Sequence, residues 1–158
     1  MVIEMVVSKN PGEFTLAATD SDGELLTAVE RIDDLFINGL KFEAAVSQMA
    51  IVEGLSLLYL KGRMQADNVK IVEDIEDLHR KKRLTFGKIK DIIVNNKVLH
   101  DESILEDFVA YVGYRNDIAH NLVSRFNKVD LDNFYTKGKN LISFFREYLL
   151  VIIQMQGV

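Results

Sequence analysis

Ala44-Ala45-Val46-Ser47-Gln48-Met49-Ala50-Ile51-Val52-Glu53-Gly54-Leu55-Ser56-Leu57-Leu58-Tyr59-Leu60 is the stretch that decides the fold. Its apolar side chains go round the helical wheel instead of keeping to one stripe, which reads as a helix covered on more than one side. Gln48 and Glu53 interrupt the run, which stops short of the roughly 20 apolar residues a membrane-spanning helix needs. The expectation is therefore a buried central helix, restarting at Lys41-Phe42-Glu43 and running to about Gln65. Gln48 and Glu53 either face a functional motif and position it, or lie on the helix's exposed edge.

Upstream, Leu25, Ala28, Val29, Ile32, Leu35 and Phe36 recur at helical spacing with acids between them, and Gly39 marks the end of that helix. Asp20 or Ser21 is placed to cap its start. Residues 1–23 differ: a β-branched opening, a turn signal at Asn10-Pro11-Gly12 and a second apolar stretch at 14–18 fit an N-terminal arm or a β-hairpin. Downstream, Val69, Val72, Ile75 and Leu78 form a thin stripe closed by Arg80-Lys81-Lys82-Arg83, a surface helix or a continuation of the central one. Thr85-Phe86-Gly87 breaks the pattern before a short helix with Ile89, Ile92, Ile93 and Val94 that ends near Asn95-Asn96. Asp101 or Ser103 caps the next helix, which carries Leu105, Phe108 and Val112. The last helix starts near Asp130 and shows the stripe Leu131, Phe134, Leu141, Phe145, Leu149 and Ile152, widened by Tyr135, Ile142 and Tyr148. The fold class is all-α: an antiparallel bundle of four to five helices over residues 24–158, one domain after the short arm. The excess of apolar surface on the last helix points to a homodimer.

With 158 residues, 48% of them hydrophobic, the chain is long enough for one continuous core. It has no cysteine, so disulfide and thiolate chemistry are excluded, and a cytoplasmic setting is expected. The opening Met1-Val2-Ile3-Glu4-Met5-Val6-Val7 has no basic leader of the secretory kind, and no membrane association is expected. A net charge of −5 argues against gripping long nucleic acid by counterion release alone, but leaves room for a compact site touching a few phosphates.

Chemistry gathers in Tyr114-Arg115-Asn116-Asp117-Ile118-Ala119-His120-Asn121. Asn116 and His120 are i and i+4 and share a helix face with Gly113, while Arg115 stands about 140° from His120 on a 3.6-residue helix. Either the helix loosens near Ala119-His120, or the groups converge with those of a second chain, whose backbone Gly113 would admit. A histidine near neutrality can take a proton from a ribose 2′-hydroxyl or give one to a leaving oxygen. Arginine can stabilise charge building on phosphorus, and asparagine can orient either group. Such a set suits metal-independent RNA transesterification, which DNA escapes for want of the 2′-hydroxyl. By spacing alone, the set reads first as an Arg paired with Asp117 or Glu106 and a His capping a helix C-terminus, and only second as a catalytic set.

Arg115-Asn116-Asp117-Ile118-Ala119-His120 resembles the signature of the HEPN superfamily of small α-helical domains: an arginine, four to six residues and a histidine, with Asn or Asp directly after the arginine. The resemblance covers residues 24–155. It implies dimerisation with two motifs facing across the dyad, Arg115 and His120 as catalytic residues, Asn116 in support, and no cofactor. It further implies endoribonuclease activity of the toxin–antitoxin or defence kind, with RNA as substrate and an antitoxin or regulatory protein as partner. Leu122, where several branches place a tyrosine two residues after the histidine, argues against the branch modified by a nucleotidyltransferase. Some HEPN domains are non-catalytic modules that bind a protein or nucleotide, which is the alternative.

His79 and His100 lack partners at metal-ligand spacing, so no metal site is expected. Arg80-Lys81-Lys82-Arg83, with Lys88 and Lys90, reads first as a solvated helix end and second as a path for RNA or an acidic antitoxin. No phosphate-cradling glycine motif is present.

Overall fold

Gly39 closes the first helix because it takes a left-handed backbone, φ 86°, that costs a glycine nothing. Its N–H donates to the Phe36 carbonyl at 3.1 Å and the Leu40 N–H to the Leu35 carbonyl at 2.9 Å, satisfying two carbonyls that a helix end leaves open. The computed structural model describes residues 3–7, 14–18, 22–64, 69–120 and 130–155. At the Gly39 corner α1 (Asp22–Ile37) turns into α2 (Lys41–Met64), and α3 (Val69–Arg80), α4 (Phe86–Asn95), α5 (Glu102–His120) and α6 (Leu131–Met155) follow. Two short strands, β1 (Ile3–Val7) and β2 (Phe14–Ala18), precede them and pair antiparallel with Ile3 opposite Ala18. The turn signal at Asn10-Pro11-Gly12 and the Asp20 or Ser21 cap lie outside the described residues.

The body of the molecule is helical, with six helices among the described residues where the periodicity counts four to five. The difference comes from α3, which is a helix of its own where the sequence leaves open a continuation of the central one. Thr85 starts α4 by accepting a hydrogen bond from the Lys88 N–H at 3.3 Å. Asp101 caps α5 through the Ile104 N–H at 3.0 Å, and Asp130 caps α6 through the Asn133 N–H at 3.0 Å.

The antiparallel expectation needs one correction, at the pair around which the core is built. Lys41 pairs with Asp132 at 2.8 Å at one end of α2, Gln48 lies against Gly138 in the middle, and Tyr59 packs on Phe144, Phe145 and Tyr148 at the other end. Residue numbers rise together along both helices, so α2 and α6 run parallel. Three helices separate them in sequence, and no short loop dictates their relation. Where α5 meets α6 the numbers oppose: Asp107 bonds Lys137, and Tyr111 stacks on Phe134. Asp33 and Phe36 of α1 likewise meet Tyr135, while Val29 and Ile32 lie with Ile142 further along α6, so that pair is antiparallel as well.

By length and composition, residues 41–63 of α2 are apolar enough to cross a membrane, more so than the broken run 44–60 suggests. In the bundle this helix supplies Ala45, Val52, Leu55, Tyr59 and Leu60 to the core. It also buries Gln48, Ser56 and Lys61. Burial lowers the Lys61 ammonium from its ordinary range, against the opposing pull of Glu76 on α3.

Gly138 lets α2 and α6 approach this closely, because a Cβ there would overlap the Gln48 carboxamide. Gly138→Ala is expected to destabilise the protein by about 1–3 kcal/mol through overpacking, despite alanine's better helix propensity. Urea unfolding checks this, and a midpoint equal to or above wild type would show that the Gln48 carboxamide moves aside without cost.

Three tyrosines are buried in the neutral form. Burial is the main cause in each: Tyr59 is pushed up from 10.0 to about 12, and Tyr111 and Tyr135 are raised further. A raised folded pKa contributes stability that is fully present below the unfolded value and lost as pH climbs through the folded one. Alkaline unfolding is therefore expected to begin above pH 10 and to coincide with the ionisation of these three of the five tyrosines. Ionisation of all five tyrosines by pH 10 in a protein that stays folded would contradict the burial of these three.

Candidate functional site

Helix α5 is aimed by its buried stripe. Phe108, Tyr111, Val112 and Ile118 are all in the core, so the face they define is turned inward. Arg115 lies four residues after Tyr111 and three before Ile118, on the continuation of that inward face, and is half-buried. A guanidinium at this position is what an apolar stripe would not predict. The next stripe round the helix, Val109, Gly113 and Asn116, is different: Val109 and Gly113 are exposed, and a Cβ at Gly113 would find nothing within 4 Å. His120 continues that stripe by register and closes α5.

The helix does not loosen before His120; α5 is helical through that residue. Of the two ways of bringing Arg115 and His120 together, the loosened helix is thus not the one seen. The offset of about 140° around the axis stands. Within one chain the structure brings Arg115 to Asn116, with Nη1 donating to Oδ1 at 3.4 Å. That is a long contact, at the weak end for such a bond.

Among the described residues Arg115 forms no ion pair, and neither Asp117 nor Glu106 takes the guanidinium. Asp117 is half-buried and engaged elsewhere. Two turns back, Lys137 and Asp107 form a partly buried pair at 2.7 Å, whose hydrogen bond raises the lysine above its usual range. Glu106 and Tyr114 add to that shift. Asp107 is therefore matched to Lys137, and among the described residues the Arg115 guanidinium, which has five N–H donors, bonds Asn116.

Gln48 faces inward beneath this site, whereas Glu53 is half-exposed. The basic run behaves as a helix end: Arg80 and Lys81 both bond Asp77, at 2.6 Å each, and Lys82 closes the turn with φ 55°. Those bonds, Lys81's first, hold the Asp77 carboxyl below the usual range. An open groove beside them is lined by Glu73, Glu76, Asp77, His79 and Arg80. Among the described residues no three His, Asp or Glu side chains are grouped to hold a metal ion.

One polar cluster escaped the sequence reading. The Tyr135 hydroxyl donates to Asp33, with Lys139 3.6 Å from the same carboxylate, at the mouth of a groove of about 270 Å³. Gly138 in the middle of an apolar helix was the available signal, since a mid-helix glycine marks a close approach. Compared with family models, curated proteins and solved structures, the chain matches none.

Proposed function

We propose that this protein is a HEPN-type endoribonuclease, a homodimer that cleaves RNA by 2′-hydroxyl transesterification without a metal, acting in the cytoplasm as a toxin or defence effector held in check by an antitoxin or regulatory protein. The observation that carries the reading is the half-buried Arg115 on the core-facing side of α5, which no described carboxylate neutralises. Burying a guanidinium without an anionic partner costs stability, and a phosphate ligand would supply that partner.

In this mechanism one His120 takes the proton of the 2′-hydroxyl as its oxygen attacks phosphorus. The bond to the 5′-oxygen breaks, and the second copy of His120, across the dyad, gives that oxygen a proton. The products are a 2′,3′-cyclic phosphate and a 5′-hydroxyl. Arg115 carries the charge that develops on the phosphoryl oxygens, and Asn116 orients the guanidinium. The open Gly113 supports the dimeric form, because it leaves room for a second backbone on the face carrying Asn116 and His120.

The test is to incubate RNA with the protein in EDTA and map the product ends. Cyclic phosphate and 5′-hydroxyl termini are expected; 3′-hydroxyl ends, or activity lost with the chelator, would overturn the reading. A non-catalytic binding module would leave the RNA intact.

A further inference from the structure

We propose that Gln48 and Tyr111 are positioning residues that fix the rotation of α5 and so place Arg115; the inference rests on the reading that Arg115 meets the scissile phosphate. Tyr111 is fully buried one turn before Arg115 on the same helix face. Its hydroxyl donates to Gln48 Oε1 at 3.0 Å, and its ring stacks on Phe134 with centroids 4.2 Å apart. Gln48, 1% exposed, is itself fixed: Nε2 donates to the Tyr135 carbonyl at 2.9 Å, and the side chain lies against Gly138. The Tyr135 hydroxyl is in turn held by Asp33 of α1. A chain of polar contacts thus runs from α1 through α6 and α2 to α5, and ends one turn short of Arg115.

Turning or sliding α5 to move Arg115 breaks the Tyr111–Gln48 bond inside the core and leaves both groups unsatisfied there. An apolar pair of the same shape would fill the space without opposing such a slip. The polar pair therefore sets the register of α5 more than it adds to cohesion. Neither side chain reaches the open face, so both act through Arg115 and not on a ligand.

The deciding variant is the double substitution Gln48→Met with Tyr111→Phe, which makes both partners apolar at nearly constant shape. Its urea midpoint is expected to return close to wild type, above those of the single variants, because no buried polar group is stranded. Its Arg115 Nε–H nuclear magnetic resonance signal, identified by its loss in Arg115→Ala, is expected to shift or broaden. Turnover on RNA is expected to fall by about 10-fold or more while KM changes little, as misplacing a catalytic group does. A wild-type Arg115 signal and wild-type turnover in the double variant would reduce the pair to packing and overturn the proposal. If the double variant does not fold, Tyr111→Phe alone gives the same readings of the Arg115 signal and of turnover, at a lower urea midpoint. A wild-type protein that cleaves no RNA would sink the ribonuclease reading, while the Arg115 signal would still decide the positioning.

Discussion

His120→Ala and Arg115→Ala are each expected to lower RNA cleavage by about 10²–10⁴-fold, the range that a proton-transferring side chain or a charge-stabilising donor supplies. The two should differ in kind. Losing the histidine removes the pH dependence near neutrality, whereas losing the arginine lowers turnover and leaves the pH profile in place. Both variants should keep the wild-type far-ultraviolet circular dichroism, and Arg115→Ala the wild-type urea midpoint to within a small margin, since the half-buried Arg115 is not one of the apolar core side chains. Arg115→Ala is expected to be neutral or slightly stabilising, because it removes a half-buried charge with no described anionic partner. Cleavage by either variant at more than a tenth of the wild-type rate, measured on the same RNA, would remove these side chains from the chemistry.

The largest stability effect is expected at Phe108. The ring is fully buried and meets Phe86 and Phe145 edge-on, with centroids at 5.7 and 5.9 Å, so it joins α4, α5 and α6. Phe108→Ala should cost about 3–5 kcal/mol, from lost transfer energy and a cavity that its close-packed neighbours cannot fill. That is a large part of the about 5–15 kcal/mol that a domain of this kind has. The variant should melt well below wild type and unfold at a much lower urea concentration. A change below about 1 kcal/mol would mean that Phe108 is not at the centre of the core.

Much of this architecture could be read from the sequence because local chemistry dictated it. Gly39, Asp101 and Asp130 each perform the backbone task that their residue type suggests. The stripe Phe134, Leu141, Phe145 and Leu149 is buried as its spacing implies. Two other helix ends fall where the sequence places them, near Arg80-Arg83 and Asn95-Asn96, but close on an unexpected residue. Lys82 and Lys97 take left-handed φ values of 55° and 51° where glycine or asparagine is the usual signal. Their closing hydrogen bonds, Arg83 N–H to the Leu78 carbonyl at 2.8 Å and Val98 N–H to the Ile93 carbonyl at 3.0 Å, offset a strain that the sequence does not advertise.

The parallel course of α2 and α6 was hidden for a different reason. Periodicity reports which face of a helix is buried but not which partner buries it, and no short connection joins these two. Gln48 shows the same limit at the site. Its polarity within an apolar run marked it as unusual, but only the fold reveals that it bonds Tyr111 and Tyr135 on two other helices. The motif itself was legible as a pattern, and α5 adds the rotation: Arg115 half-buried on the core-facing side, Gly113 exposed on another.

Subunit mixing tests most directly whether the motif is half of a shared active site. Wild type and His120→Ala are combined in equal amounts in denaturant, refolded together, and assayed on RNA. If each site needs both copies of His120, mixed dimers are inactive and activity falls to about a quarter of that of undiluted wild type. Activity of about half, as independent sites in separate chains would give, or no cleavage by the wild type, would contradict the shared site.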